Sequence, residues 1–241
     1  LALSDWKGAG KRKSEARKRG KLRGIGIANA IEIAAGPAPA PLPEGAEIKF
    51  DTTGAVTLTM GTHSHGQGHE IAFAQIAADM LGIEPSDIRV RYGDTELVEF
   101  GTGTFGSRSI ITGSNSLRIS ADRLIERGRK IAAVHFEAAV QDIVFEAGQF
   151  SIVGTDRHIG IKDVAKLSYT LRDPSLGGTF GFSEQVVAAP KAATFPNGCH
   201  VCEVEIDPDT GVCQVLNYVV VDDVGRVVNP MLVKGQVHGF D

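Results

Sequence analysis

Between residues 46 and 60, apolar and polar positions alternate on either side of Asp51, Thr52, Thr53 and Gly54, the pattern of two strands joined by a tight turn. Downstream the period changes. Phe73, Ile76, Ala77, Met80 and Leu81 recur at helical spacing, and Gly82 stands where a C-terminal cap belongs. "DIRVRYGD" (87–94) returns to alternation, with Ile88, Val90 and Tyr92 on one face. A loop, "GTGTFGSRSIITGSNS" (101–116), then precedes a long helix expected from about residue 115 to 139. Its buried stripe is Leu117, Ala121, Leu124, Ile131 and Ala132, with Gly128 on or beside that face as a point of close packing. "DIVFEAGQFSIVG" (142–154) predicts a second hairpin, "IKDVAKLSY" (161–169) a short helix, and "HVCEVEIDPDTGVCQVLNYVVVDDVG" (200–225) a third hairpin turning at 207–211. Strands and helices alternate without strict βαβ regularity. The expected fold is α+β, with mixed sheets covered by helices in a two-layer α/β sandwich.

The N-terminal stretch departs from this pattern. Residues 7–23 carry nine Lys or Arg and one Glu, "GIGIANAIEIAAG" (24–36) is glycine-spaced and β-like, and "GPAPAPLPEG" (36–45) reads as an extended connector. The chain therefore divides into a basic helical and proline-rich connector (1–45), a main subdomain (46–190) and the start of a second subdomain (191–241). The basic run suits either a solvated helix or a surface for anionic partners. A net charge of −4 over 241 residues argues against a dedicated nucleic-acid binder. No run of about 18 apolar residues marks a membrane span, and no apolar core follows the N-terminal charges as in a signal peptide. Three cysteines, an odd number, fit a reducing compartment better than a disulfide scaffold. The chain opens without methionine and closes on "KGQVHGFD", so it reads as a piece of a longer polypeptide, with Val233, Val237 and Phe240 expected to be poorly anchored.

Candidate chemistry concentrates in "GTHSHGQGHE" (61–70). His63, His65 and His69 are candidate metal ligands, as in a zinc-dependent hydrolase. The glycines point instead to anion binding: the turn 66–68 enters a helix whose first amides lack partners and whose dipole favours negative charge. A plain turn is the third reading. "GTGTFGSRS" also precedes a helix and offers Thr104, Ser107, Ser109 and several amides, with Arg108 nearby, so two helix entrances become candidate walls of one pocket that share an edge of the fold. Serine and threonine are equally favoured as ordinary N-caps. Cys199 and Cys202, three apart on a strand, face opposite sides and are expected to carry neither metal nor disulfide. "DDVGRVVNP" (222–230) combines an Asp-x-Gly turn with an Asn-Pro helix opening.

Three segments together resemble one family. "GTHSHGQGHEIAFAQIAADMLGI", "GDTELVEFGTGTFGSRS" and "YVVVDDVGRVVNPMLVKGQVHG" are similar to the large subunit of the molybdenum hydroxylases, which include xanthine dehydrogenase, aldehyde oxidase and, closest in texture, the aerobic carbon monoxide dehydrogenase large chain. The resemblance runs from about Lys21 almost to the end, and implies part of a larger molybdopterin-binding domain. It implies a molybdenum cofactor on a pterin dithiolene, in the cytosine dinucleotide form. Gln67, Gly68 and His69 would contact it, as would Thr104, Ser107 and Ser109, with Phe105 and Gly106 supplying backbone; Asp223 and Asn229 are further candidates. The dithiolene, not the protein, would hold the molybdenum. The family's glutamate base and its substrate loop match no part of this chain, so no catalytic residue is assigned and the isolated chain is expected to be silent. The resemblance further implies 2Fe-2S clusters on an iron–sulfur small subunit, FAD on a medium subunit, a dimer of such heterotrimers, and a cytoplasmic enzyme that oxidises carbon monoxide, an aldehyde or an N-heterocycle.

Overall fold

A computed structural model describes residues 2–36, 40–178 and 180–239. In chain order its elements are α1 (Ala9–Lys18), β1 (Leu22–Ile31), β2 (Glu44–Phe50), β3 (Val56–Met60), α2 (His69–Leu81), β4 (Ile88–Arg91) and α3 (Ser109–Phe136). There follow β5 (Ile143–Glu146), β6 (Gln149–Ile152), β7 (His158–Gly160), α4 (Ile161–Thr170), β8 (Phe182–Ala188), β9 (Asn197–Ile206), β10 (Cys213–Asp223) and α5 (Pro230–His238). The chain forms two compact units, Leu1–Ile33 with Thr194–Asp241, and Ala34–Ala193.

The first unit is an antiparallel sheet in the order β1–β9–β10. β1 pairs with β9 without interruption from Leu22↔Ile206 to Ile31↔Asn197. β1, which falls within the expected connector 1–45, thus forms a sheet with a strand far along the chain. The basic run finds its counter-charges in the same unit. Arg12 and Arg23 each reach Glu203 at 2.9 Å, Arg19 reaches Glu205 at 2.7 Å, and Lys21 reaches Asp207 at 2.6 Å. Glu203 is buried, and the Arg12 hydrogen bond, ahead of Arg23, holds its carboxyl below the usual range. These ion pairs favour the reading of a helix solvated on one side and anchored on the other. Cys199, Cys202 and Cys213 are free thiols. In α5, Val233 and Val237 are half-buried; Phe240 lies outside the described residues, as do residues 37–39 of the proline-rich stretch.

The second unit holds the main core. Its four-stranded sheet runs β4–β3–β2–β8, with β3 and β4 parallel and the other neighbours antiparallel. The β2–β3 hairpin turns where expected because Asp51 Oδ1 accepts hydrogen bonds from the Thr53 and Ala55 amides at 2.7 and 3.1 Å. β3, α2 and β4 form a crossover unit, which puts the entrance of α2 at the carboxyl end of β3. Ile48, Phe50, Leu58 and Met60 from the sheet meet Phe73, Ala77 and Leu81 from α2 and Leu117, Leu124 and Ile131 from α3 in one cluster. The three-stranded sheet β5–β6–β7 adds Phe150 to it.

α3 begins at Ser109, six residues before the start expected from apolar periodicity. Its first turns bury polar side chains instead of aliphatic ones. Thr112, Ser116 and Ser120 are wholly buried, and the Ser116 and Ser120 hydroxyls donate at 2.7 Å to the carbonyls of Glu44 and Glu184 on the sheet. Small hydroxyl residues let the helix lie close to the strands while satisfying those carbonyls.

Gly128 sits over the Phe150 ring, where an added Cβ would lie 2.3 Å from Cζ. An alanine gains about 1 kcal/mol of helix propensity, against about 1–3 kcal/mol for overpacking. Gly128→Ala should therefore lower stability in urea unfolding, and Phe150→Leu on that background should recover part of the loss; an unchanged midpoint would show that the ring has room to move. In the first unit, Glu203→Gln removes a charged acceptor worth about 1.5–3 kcal/mol per hydrogen bond. Amides 9–18 should then exchange about tenfold faster or more while β9 amides do not, and equal acceleration of both would show that α1 is not held by this charge.

Candidate functional site

The loop 61–68 leaves the end of β3 and enters α2, and the loop 92–108 leaves the end of β4 and enters α3. Because β3 and β4 are parallel neighbours, both loops emerge at the same edge of the sheet. They are bonded to each other. The Thr104 hydroxyl donates to the His63 carbonyl at 2.7 Å and accepts from the His63 amide at 2.9 Å and from the Ser109 hydroxyl at 3.0 Å. One donor and two acceptor sites are the whole capacity of a hydroxyl. The expectation that the entrances share an edge holds. The expectation that Thr104 offers its hydroxyl does not, since its hydrogen is already engaged, and Ser109, also buried, donates to it. The backbones touch as well: a Cβ on Gly101 would fall 2.6 Å from the Gly61 carbonyl oxygen.

What faces water is the tip of each loop. Gly66 and Gly68 adopt φ of 100° and 78°, values that L side chains avoid, and Gly68 is the N-cap residue of α2 without a side chain to cap it. The Gln67 side-chain oxygen Oε1 folds back to accept from the His65 amide, so the donor that this side chain has to offer is its NH2 group. In the second loop Phe105, Gly106 and Ser107 are exposed, and Gly106 and Ser107 have φ of 54° and 50°. A serine held in the left-handed region is strained, and such residues gather at functional sites. No side chain caps α3 either. Both helices thus present first-turn amides at the edge, with the positive end of the dipole behind them.

The charged groups lie differently from the expectation. Arg108 is wholly buried beneath the loop; its guanidinium meets Glu44 at 2.5 Å and stands 5.4 Å from the Phe105 ring centroid. It is not an available cation. His69 is 6% exposed, packs edge-to-face on Phe73 at 5.4 Å, and leaves Nδ1 buried without a partner. Burial holds this imidazole below its ordinary value, so it is neutral at pH 7. Glu70, in the first turn of α2, accepts from the Tyr92 hydroxyl and at 3.5 Å from the Ser64 hydroxyl. The Tyr92 bond, then the residue's own amide, holds the Glu70 carboxyl below the usual range and raises Tyr92. The His63 ring lies tilted against His65 at 4.8 Å and edge-to-face with Tyr92 at 5.3 Å between centroids.

Among the described residues no three His, Cys, Asp or Glu side chains are placed to hold a metal ion. The histidine-centred zinc hydrolase reading fails on this geometry: His69 is turned into the core while His63 and His65 are exposed. Asp223 and Asn229 lie in the other unit and serve local structure. Asp223 accepts from the Gly225 amide, and Asn229 caps α5 by accepting from the Leu232 amide, each at 2.9 Å.

Two helix entrances without side-chain caps at one edge of the sheet fit amide-mediated anion binding. Sequence and structure comparisons decide the family. The profile of the molybdopterin cofactor-binding domain matches residues 1–239. The chain belongs to that family. It is 37% identical over 240 residues to the carbon monoxide dehydrogenase large chain of Afipia carboxidovorans, covering 95% of this chain and 29% of that protein. It is 35% identical over 240 residues to the nicotine 6-hydroxylase large subunit of Paenarthrobacter nicotinovorans, again covering 95% and 29%. The reconstituted CO dehydrogenase of Oligotropha carboxidovorans superposes with a TM-score of 0.88 at 35% identity, covering 99% of this chain and 31% of that one. The chain spans less than a third of the relatives it matches. For the cofactor-binding domain, the orphaned Nδ1 of His69 is an unmet hydrogen-bonding capacity at the mouth of α2.

Tyr92 and Glu70 were not singled out as partners in the sequence, since the contact joins a strand end to a helix start 22 residues away. Tyr92→Phe should raise the Glu70 pKa measured by carboxyl NMR titration. Because the folded pKa is depressed, the stabilisation is present above the ordinary carboxylate range and is lost as pH falls through the folded value. The variant should therefore lose stability at neutral pH and converge with the wild type in acid, whereas a gap independent of pH would assign the effect to packing.

Proposed function

We propose that this chain is the cofactor-binding portion of the large subunit of a molybdenum hydroxylase, and that the pyrophosphate tail of a molybdopterin cytosine dinucleotide lies across both helix entrances. The observation that carries this is the junction of the two loops through Thr104 and His63, which makes two single-phosphate entrances into one extended anion site. Gln67 donates through its side-chain NH2, the backbone of Gly68 and His69 and of Phe105, Gly106 and Ser107 donates amides, and Thr104 and Ser109 hold the two tips in register. His69 Nδ1 is a further hydrogen-bonding position at the α2 mouth. When bound, the cofactor supplies the redox-active molybdenum. The chain's own part is to bind and orient it without contributing a metal ligand.

In the intact enzyme the substrate is a small molecule, carbon monoxide, an aldehyde or an N-heterocycle, and water provides the oxygen. Electrons leave through an iron–sulfur small subunit to an FAD-bearing medium subunit, in a dimer of heterotrimers in the cytoplasm. The names of two relatives, a carbon monoxide dehydrogenase and a nicotine 6-hydroxylase, support the reaction class and span the substrate range without choosing within it. No helix among the described residues is long and apolar enough to cross a membrane, which is compatible with that setting.

The test is a titration of the isotope-labelled chain with cytidine, cytidine monophosphate and cytidine diphosphate. Each helix entrance contributes about 1 kcal/mol toward a phosphate, so the diphosphate should bind about fivefold more tightly than the monophosphate. Amides of residues 66–69 and 105–109 should shift together. Shifts confined to one loop, or equal affinity for all three ligands, would contradict the proposal.

A further inference from the structure

We infer that Glu44 and Arg108 are positioning residues for the anion site: a wholly buried ion pair that sets the course of the loop 101–108 and so the aim of the α3 amides. The inference rests on the reading of both helix entrances as one anion site. Neither side chain has any exposed surface. Glu44, the first residue of β2, accepts at Oε1 from the amides of Gly45 and Thr102, both at 3.0 Å, and at Oε2 from the Gly103 amide at 3.3 Å and from Arg108. Four donors fill a carboxylate's lone-pair sites. Arg108 gives one terminal nitrogen to Glu44 and to the Gly103 carbonyl at 2.5 Å, and the other to the carbonyls of Leu42 and Pro43 at 3.2 and 2.8 Å.

The consequence is geometric. Arg108 is the N-cap residue of α3, so whatever holds its side chain also holds the backbone from which the first helical amides project. Ser107, the strained residue, and Ser109, which supports Thr104, are its immediate neighbours. Glu44 meanwhile fixes Thr102 and Gly103, two residues before the junction with His63. The packing leaves no slack, since a Cβ on Gly61 would stand 2.2 Å from Glu44 Oε1. The pair thus clamps both feet of the exposed tip at 105–107 without touching a ligand there. A lysine at 108 retains the charge but not the planar fork, and cannot serve four acceptors in two directions.

Inorganic pyrophosphate binding to the whole chain, measured by calorimetry well below each variant's melting temperature, tests this. The wild type is titrated first; if it does not bind pyrophosphate, the anion-site reading fails and this inference fails with it. Given wild-type binding, Glu44→Gln and, independently, Arg108→Lys should each weaken it about tenfold or more. Gly128→Ala, which perturbs α3 far from the loop, controls for general destabilisation and should bind as the wild type does. If either folded loop variant binds pyrophosphate as tightly as the wild type, or if Gly128→Ala loses as much affinity as they do, the positioning role is overturned while the anion site stands.

Discussion

A carboxylate and a guanidinium with no exposed surface, Glu44 and Arg108, meet beneath the loop that leads into α3, and the arrangement of that edge of the fold follows from what they require. Removing two such charges from water carries a penalty of several kcal/mol per ion, offset only when the pair is close and its remaining hydrogen-bonding positions are filled. Here the backbone fills all of them but one, the buried Arg108 Nε, which has no partner among the described residues. Amides of Gly45, Thr102 and Gly103 and carbonyls of Leu42, Pro43 and Gly103 all turn toward the pair. Those peptide groups are turned inward, and residues 105–107 are the exposed part of the loop. Losing one partner of such a pair costs about 3–5 kcal/mol in general, a large fraction of the stability of a domain this size.

The same constraint shapes the electrostatics of the site. Arg108 is paired with Glu44 from below, the buried His69 imidazole is held below its ordinary value, and Glu70 accepts from Tyr92. An anion bound as proposed would meet the amides at two helix mouths, which are fixed dipoles and need no reorganisation on binding. Fixed dipoles act well only if their supports are rigid. α3 provides that rigidity in its first half, where Ser116 and Ser120 tie it to the carbonyls of Glu44 in β2 and Glu184 in β8.

How much of this was legible in the sequence depended on the range of the interaction. Short-range periodicity revealed the hairpins, the body of α2 with its Gly82 cap, and the Leu117–Leu124–Ile131 stripe, because each pattern repeats within a few residues. The first turns of α3 were hidden because Ser109, Thr112 and Ser116 are buried for their hydroxyl bonds to backbone and Thr104, not for apolar character. Residues 7–23 looked like an exposed basic helix because their counter-charges, Glu203, Glu205 and Asp207, lie some 180 residues away. In the candidate site, the glycines and the strand-to-helix context pointed to two loops that the structure brings to one edge of the sheet. The roles of individual side chains were less readable: Thr104 and Ser109 read as outward donors although they bond inward, Arg108 read as a neighbouring cation although it is buried, and nothing local marked Glu44, 64 residues before its partner. Distant pairings leave no periodic trace.

The central claim is that the two helix entrances are one structure held by the Glu44–Arg108 pair, and native-state hydrogen exchange of the unliganded chain tests it most directly. The amides of His63, Thr102 and Gly103 bond to Thr104 or to Glu44 and should open in a single event with a common free energy. Exchange of the His63 amide through a separate opening of much lower free energy, with Thr102 and Gly103 still protected, would contradict the account.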